Sequence, residues 1–528
     1  MTEDFLWWRD GIIYQIYPRS FADSNDDGIG DLQGIIGKLD YLESLGIDAI
    51  WLSPIFPSPD VDFGYDVSNY RDIDPKFGTM TDFEQLVEEA THRGIHIILD
   101  LVLNHTSDQH PWFLESKKSK DNPYHNWYMW EDPKPTGDPP NNWQAIFGGS
   151  AWEYDSDLDQ YYYHMFYKEQ PDLNWRNPNV HQEMLDIFPF WLNKGVDGFR
   201  LDVFNAYFKD AQLRDNPPKF GVRAFDRQEH IYDNSQPEMM PLLMEIRNIL
   251  DQHEESYVVG ETFLANTEQT AKFCGDDKLH AAFNFDFAEN RWHPKRFLIS
   301  AQKWYRVLPE DGWPNNFLSN HDMTRAASRY CFGEDDRRAK VAAAMLLTVK
   351  GTPFLYYGEE IGMRDIPIRK KSEIKDPIGK TFWPLYKGRD DCRAPMQWTD
   401  EIYAGFSKAE PWLPINNDFL KRNVQNMAKD PDSILNFTKK IIAVRKNEPA
   451  LQRGDFFPVT SDPKHILAYI RKYQDDQILV ILNFSSRELT YELPEGTWDS
   501  LLKDDFTAQK QLNLLAYQVH ILKGRNLH

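Results

Sequence analysis

Short apolar runs rich in Ile, Val, Leu and Phe punctuate the chain, each ending in a polar or charged cluster. Eight recur: GIIYQIYP at 11–18, AIWLSPI at 49–55, HIILDLVL at 96–103, GFRLDV at 198–203, YVVGET at 257–262, AAFNFDF at 281–287, NNFLSNHD at 315–322 and PFLYYGEE at 353–360. Continuous apolar runs without alternation predict strands buried on both faces, as in parallel sheets. Between them, apolar residues fall at helical spacing over 31–45, 80–90, 180–191, 239–250 and 339–347. Strands alternating with helices predict an α/β fold, a (β/α)8 TIM barrel whose sites lie at the strands' C-terminal ends.

Two intervals break the rhythm. Residues 104–174, after strand three, carry many Trp, Tyr, Pro, Asn and Gly and little helical period, which is too much chain for a barrel loop. They predict an inserted subdomain between barrel segments 1–103 and 175–450. A second insertion, 360–431, is rich in Pro and Asp and is expected to act as a lid. After a last barrel helix at 432–446, the runs HILAYIRK, QILVILNF and VHILKG predict a C-terminal antiparallel β domain over 451–528.

Composition narrows the class of function. A chain of 528 residues with 41% hydrophobic residues can bury large cores. The formal charge of −23 argues against nucleic acid or anionic membrane as partner. The N-terminal MTEDFLWWRDG has no signal-peptide pattern, and no apolar run is long enough to span a membrane. Three widely spaced cysteines, Cys274, Cys331 and Cys392, argue against a disulfide framework and fit a reducing cytoplasm.

Strand ends supply the candidate chemistry. Arg200 and Asp202 lie two apart at the end of strand four, hence on one face, and the arginine is expected to lower the aspartate's pKa. Glu261 follows the apolar VVG of strand five, an environment expected to raise a carboxyl pKa. His321 and Asp322 end strand seven, and Asn104-His105 follow strand three. Carboxylates from three strand ends thus converge on one mouth, and a pair with one ionised and one protonated member is what retaining glycoside hydrolysis requires. A separate stretch, DSNDDGIGD at 23–31, places Asp23, Asn25, Asp27 and Asp31 like the first ligands of a calcium loop. The position that should hold a bidentate glutamate is Gly34, and no helix precedes the loop, so an EF-hand is excluded.

DLVLNH (100–105), GFRLDVFN (198–205), VVGETF (258–263) and FLSNHD (317–322) resemble the four signature regions of the α-amylase family of retaining glycoside hydrolases, family 13. QPDLNW (170–175), the opening GIIYQIYPRSFADSNDDGIGDLQGI and GRDDCRAPMQW (388–398) are similar to its oligo-1,6-glucosidase and α-glucosidase branch, although many relatives have Thr where Ala394 stands.

The resemblance implies Asp202 as nucleophile, Glu261 as general acid/base and Asp322 as transition-state stabiliser. It places Tyr65, His105, Arg200 and His321 around a glucose ring. Asp62 and Arg393 would close that pocket, making the enzyme exo-acting, with Phe147 and Phe166 as apolar walls. The 23–31 loop would bind one structural Ca²⁺ or Mg²⁺ through Asp23, Asn25, Asp27, the Ile29 carbonyl and Asp31; no organic cofactor is implied. Val203 beside the nucleophile tends to accompany α-1,6 preference in this branch, with α-1,4 cleavage a rival. Transglucosylation, sucrose isomerisation and trehalose synthesis use the same catalytic residues, and a catalytically inactive binding subunit is the remaining alternative. The expected partner is an oligosaccharide; monomer and homodimer stay open.

Overall fold

The apolar runs become strands only as far as both faces can be covered. In a computed structural model, which describes residues 5–460, 464–503, 506–508 and 510–525, the barrel strands are β1 (Ile13–Ile16), β2 (Ala49–Leu52), β3 (His96–Leu101), β4 (Gly198–Leu201), β5 (Tyr257–Gly260), β6 (Ala281–Ala282), β7 (Asn315–Phe317) and β8 (Thr352–Tyr356). Residues 1–4, where the reading of the N-terminus begins, and 526–528, where the expected C-terminal domain ends, lie outside the described residues.

The strands form one sheet in the order β7-β8-β1-β2-β3-β4-β5-β6, every neighbouring pair parallel. Every strand residue is buried except His96, which is half-buried. Inside, Ile13, Ala49, Trp51, Ile98, Val259, Ala281, Phe317 and Phe354 fill the barrel, while alternate residues such as Tyr14, Ile50, Ile97 and Leu99 join the larger core shared with the helices. The segment just after β6 meets β7 through side chains: Asn284 donates to Asn316 (3.4 Å), and the Phe283 and Phe317 rings meet edge-on at 5.3 Å.

Three expected elements differ for local reasons. Strand six stops at Ala282 because the Asn284 side chain accepts from Phe287 N and caps a short helix, Phe285–Ala288. The 31–45 helix divides into Leu32–Ile36 and Leu39–Leu45, the chain leaving helical geometry at Lys38. The 180–191 helix divides into Pro178–Leu185 and Ile187–Leu192, since Pro189 has no N–H to donate back to Leu185.

Within 104–174 the chain builds a three-stranded antiparallel sheet, with Gln160–Tyr163 between Trp130–Glu131 and Trp152–Asp155. Trp143, Trp152, Tyr163 and Met165 pack it on a core of its own. Residues 360–431 hold short helices, among them Pro377–Phe382, that lie across the mouth. Beyond the helix Ile434–Asn447, six antiparallel strands from Asp455–Pro458 to Val519–Arg525 form the C-terminal sheet. Fully buried Arg471 ties it to the barrel by donating to the Thr348 carbonyl (2.7 Å).

Candidate active site

Strand register assembles the first half of the site. β3 pairs with β4 so that Asp100 lies beside Arg200. The Arg200 guanidinium donates through one nitrogen to Asp100 (2.5 Å) and Asp202 (2.7 Å), and through the other meets Glu261 at the end of β5. It lies over Trp51 and beside Tyr65, at 5.3 and 5.8 Å from the ring centres. One buried cation thus serves three carboxyls. Burial raises the Asp202 carboxyl, with the Asp100 charge adding to it; Arg200 opposes both, and the result is a pKa of about 6. Arg200 does lower it, as expected, but burial outweighs the ion pair and the carboxyl ends raised instead of lowered. Glu261 likewise does not sit in an apolar surround alone, because it rests against the guanidinium.

A hydrogen-bond chain fixes the ring of His321. Gln15 donates to its Nδ1 (2.8 Å), leaving the proton on Nε2, which faces the Tyr65 hydroxyl at 2.6 Å; that hydroxyl donates to Asp100 (3.0 Å). The Tyr65 and His321 rings stack at 5.2 Å. Burial brings His321 down to about 3, so it stays neutral.

Two arginines build the opposite side. Arg393 donates to Asp322 (2.6 Å) and to the His321 carbonyl (2.7 Å). Arg389 bonds Asp62 (2.6 Å), Asp376 (2.9 Å) and Asp322 (3.4 Å), and lies 5.6 Å from the Phe147 ring centre. Burial pushes the Asp322 carboxyl up, but His321, Arg389 and Arg393 together hold it well below the usual carboxylate range. Asp62, more deeply buried than Asp322, stays raised by that burial despite Arg389.

These groups enclose a pocket of ≈ 220 Å³ lined by Asp62, Tyr65, His105, Phe147, Phe166, Asp202, Val203, Glu261 and Asp322, all expected from the sequence. Arg200 and His321 lie buried among the groups that line it, bonded to Asp202 and Tyr65. Arg393 does not line it. It is fully buried behind Asp322, and the wall position beside Asp62 belongs to Arg389, four residues earlier in the same GRDDCRAPMQW stretch. Asp100 was also missed, although a lone acid inside the apolar run HIILDLVL is a visible signal. Ile378 and Tyr386 of the 360–431 insertion, with Ile146 and Phe263, complete the lining.

The 23–31 loop closes on itself. Asp23 accepts from the backbone of Asn25, Asp26 and Gly28, Asn25 from Asp27, and Asp27 from Ile29. Asp31 caps the following helix through Gly34 N (2.6 Å) and accepts from Ser24 with its other oxygen. Among the described residues no group of three His, Cys, Asp or Glu side chains converges as a metal site. Asn25 and Asp27 nevertheless offer hard oxygens on an exposed turn, beside half-buried Asp23.

A TIM barrel with carboxylates converging at the ends of β4, β5 and β7 is the framework of a glycoside hydrolase. Comparison with known proteins makes this specific. The alpha amylase catalytic domain family matches residues 15–454, and the maltogenic amylase C-terminal domain family matches residues 458–518. A probable alpha-glucosidase of Rhizobium meliloti is 44% identical, over 96% of this chain and 95% of that protein. An oligo-1,6-glucosidase of Parageobacillus thermoglucosidasius is 41% identical, over 98% and 99%. The crystal structure of the alpha-glucosyl transfer enzyme XgtA superposes with a TM-score of 0.94 at 40% identity, covering 99% of this chain and all of that one (100%). The chain belongs to the alpha-amylase family of glycoside hydrolases.

Proposed function

We propose that the protein is an exo-acting retaining α-glucosidase, releasing glucose from the non-reducing end of short α-glucosides, with α-1,6 linkages favoured and α-1,4 linkages also cut. The observation that carries this is the pocket: its ≈ 220 Å³ is below the ~300–1,000 Å³ of ordinary small-molecule sites, and the Asp62–Arg389 bridge stands in its wall. It suits a single sugar ring rather than a chain running through.

Asp202 attacks the anomeric carbon as the glycosidic C–O bond breaks, and Glu261 delivers a proton to the leaving oxygen. Water then attacks the glucosyl ester, giving its proton to Glu261 and freeing Asp202. Asp202 and Glu261 share one guanidinium, an arrangement that fits the ~5–5.5 Å of a retaining pair better than the ~6.5–9.5 Å that an inverting pair needs for its water. Asp322, held ionised by its two arginines, binds ring hydroxyls. Val203, bordering the pocket beside the nucleophile, supports the α-1,6 lean through the branch's habit at that position, and the α-glucosidase and oligo-1,6-glucosidase names of the relatives agree.

A second reading, glucosyl transfer to another sugar or an alcohol, is favoured by the likeness to XgtA; it uses the same ester and differs in what attacks it. The 23–31 loop is proposed to take one Ca²⁺ or Mg²⁺ through Asp23, Asn25, Asp27, the Ile29 carbonyl and Asp31, an ion that would brace the loop without touching substrate. A cytoplasmic setting is supported by three free cysteines, two of them buried; among the described residues, no helix is long and apolar enough to cross a membrane.

The test is glucose release from isomaltose, maltose and sucrose at equal concentration, with NMR of the first anomer formed. Isomaltose fastest with α-glucose first supports the proposal in full. β-Glucose first would refute retention; disaccharide rearrangement without glucose would replace hydrolysis with transfer.

A further inference from the structure

We propose that Lys209 is a positioning residue for His105, setting through Asn104 which ring nitrogen of His105 carries the proton and so which one donates to the Tyr65 carbonyl at the pocket wall. This rests on the reading of that pocket as a sugar site.

The four side chains involved come from distant parts of the chain. Asn104 and His105 follow β3, Asp172 lies in the return from the subdomain, and Lys209 follows β4. All four are buried, with relative exposures of 1% or less. His105 and Asp172 form an isolated antiparallel bridge that joins the subdomain to the barrel. The Lys209 ammonium pairs with the Asp172 carboxylate and donates to Asn104 Oδ1 (2.9 Å).

That second bond decides an orientation. An ammonium only donates, so the amide face it meets must be the carbonyl oxygen. Asn104 Nδ2 then points the other way, donating to Asp172 (2.7 Å) and facing His105 Nδ1 at 3.2 Å. A donor facing Nδ1 requires that nitrogen to be bare. The proton therefore sits on Nε2, which meets the Tyr65 carbonyl at 3.0 Å on the pocket side. The alternative tautomer would set Nδ1–H against the Asn104 amino group. Gln170, whose Oε1 accepts from Tyr167 N, also brings its amino group to 3.1 Å from Nε2, but that amino group donates to the Tyr65 carbonyl (3.3 Å), and it is this carbonyl, only an acceptor, that calls for the proton on Nε2.

The charged groups facing His105 are Asp172, Asp202 and Lys209, and the Phe166 ring lies against it at 5.1 Å. Burial lowers its pKa first; Asp172 and Asp202 oppose that, and Lys209 adds to it. Lys209 thus keeps the imidazole neutral as well as oriented.

The experiment is a histidine-selective ¹⁵N spectrum of the full-length protein, with the His105 signal assigned by its loss in H105Q. The wild type is expected to show the Nε2–H tautomer, unchanged across about pH 5–8. K209M should populate the Nδ1–H form. Asn104→Asp, which keeps the Lys209–Asp172 pair while turning the group at Nδ1 into an acceptor, should give Nδ1–H or the imidazolium. Its kcat/KM should fall about tenfold, as for one lost hydrogen bond holding the pocket wall, with a new ionisation within the same pH range. An Nδ1–H wild type overturns the proposal, as does an unchanged tautomer in the variants or a uniform activity loss with no change in profile shape. If K209M does not fold, the wild type and N104D decide. A wild type that releases no glucose sinks the proposed function and leaves the tautomer result standing.

Discussion

The two sides of the pocket are built from the same residue types and behave differently. Around Arg200, one cation serves Asp100, Asp202 and Glu261, and burial wins: Asp202 rises to about 6. Around Arg389 and Arg393, two cations serve Asp62, Asp322 and Asp376, and Asp322 falls well below the ordinary range. Depth and charge separate the two sides together: Asp322 keeps 35% of its side chain exposed and faces His321 and two arginines, whereas Asp202 keeps 10% and faces one arginine. A nucleophile held near 6 stays ionised at neutral pH yet remains nucleophilic, whereas a stabiliser gains from being charged throughout.

The comparison can be broken most severely at the nucleophile. Asp202→Asn should cut kcat by about a thousandfold or more while far-UV circular dichroism stays unchanged; activity above that level would undo the assignment. Next is the double-cation side. R389M strips Asp62 and Asp376 of their partner, and breaking a buried pair costs about 3–5 kcal/mol. A clear fall in Tm and a loss of about a hundredfold in kcat/KM are expected; a wild-type Tm would show that Arg389 does not carry that side.

The difference between the two sides should show in the pH dependence. Protonating Asp202 removes the nucleophile, so kcat/KM of the wild type should fall as pH drops through about 6. Asp100 helps raise Asp202, so Asp100→Asn should move this acid limb downward, by on the order of one pH unit or about 1.4 kcal/mol of interaction. A limb that stays put in D100N would assign the shift to burial alone. The smallest effect lies away from the pocket. Saturating Ca²⁺ or Mg²⁺ at about a hundredfold over Kd should stabilise by ~2.7 kcal/mol and raise Tm by a few degrees, reversed by chelator; no shift would leave the 23–31 loop held by its own backbone bonds.

How much of this was legible depended on whether a residue's role was local. The barrel strands were readable because a doubly buried strand is apolar throughout, and β6 was overextended because Asn284 looks the same in a strand as at a helix start. Asp202, Glu261 and Asp322 were readable because strand ends face the mouth by topology. Asp100 was not, since it acts one register step inside β3 and matters only once β4 brings Arg200 beside it. Arg389 and Arg393 stand four apart in one stretch, and only the packed 360–431 insertion shows which faces the sugar pocket and which braces Asp322 from behind. Lys209 and Asp172 are far apart in sequence, and nothing local announces their meeting.

Val203, next to the nucleophile, holds a left-handed backbone at φ 34° and ψ 39°, a region that a β-branched residue seldom occupies and that costs of order 1–3 kcal/mol. Its side chain borders the pocket and is itself buried. Glycine or asparagine here would relieve the strain, at the cost of the wall that the valine supplies. A branched side chain in a strained turn beside the nucleophile thus trades backbone ease for the shape of the pocket wall.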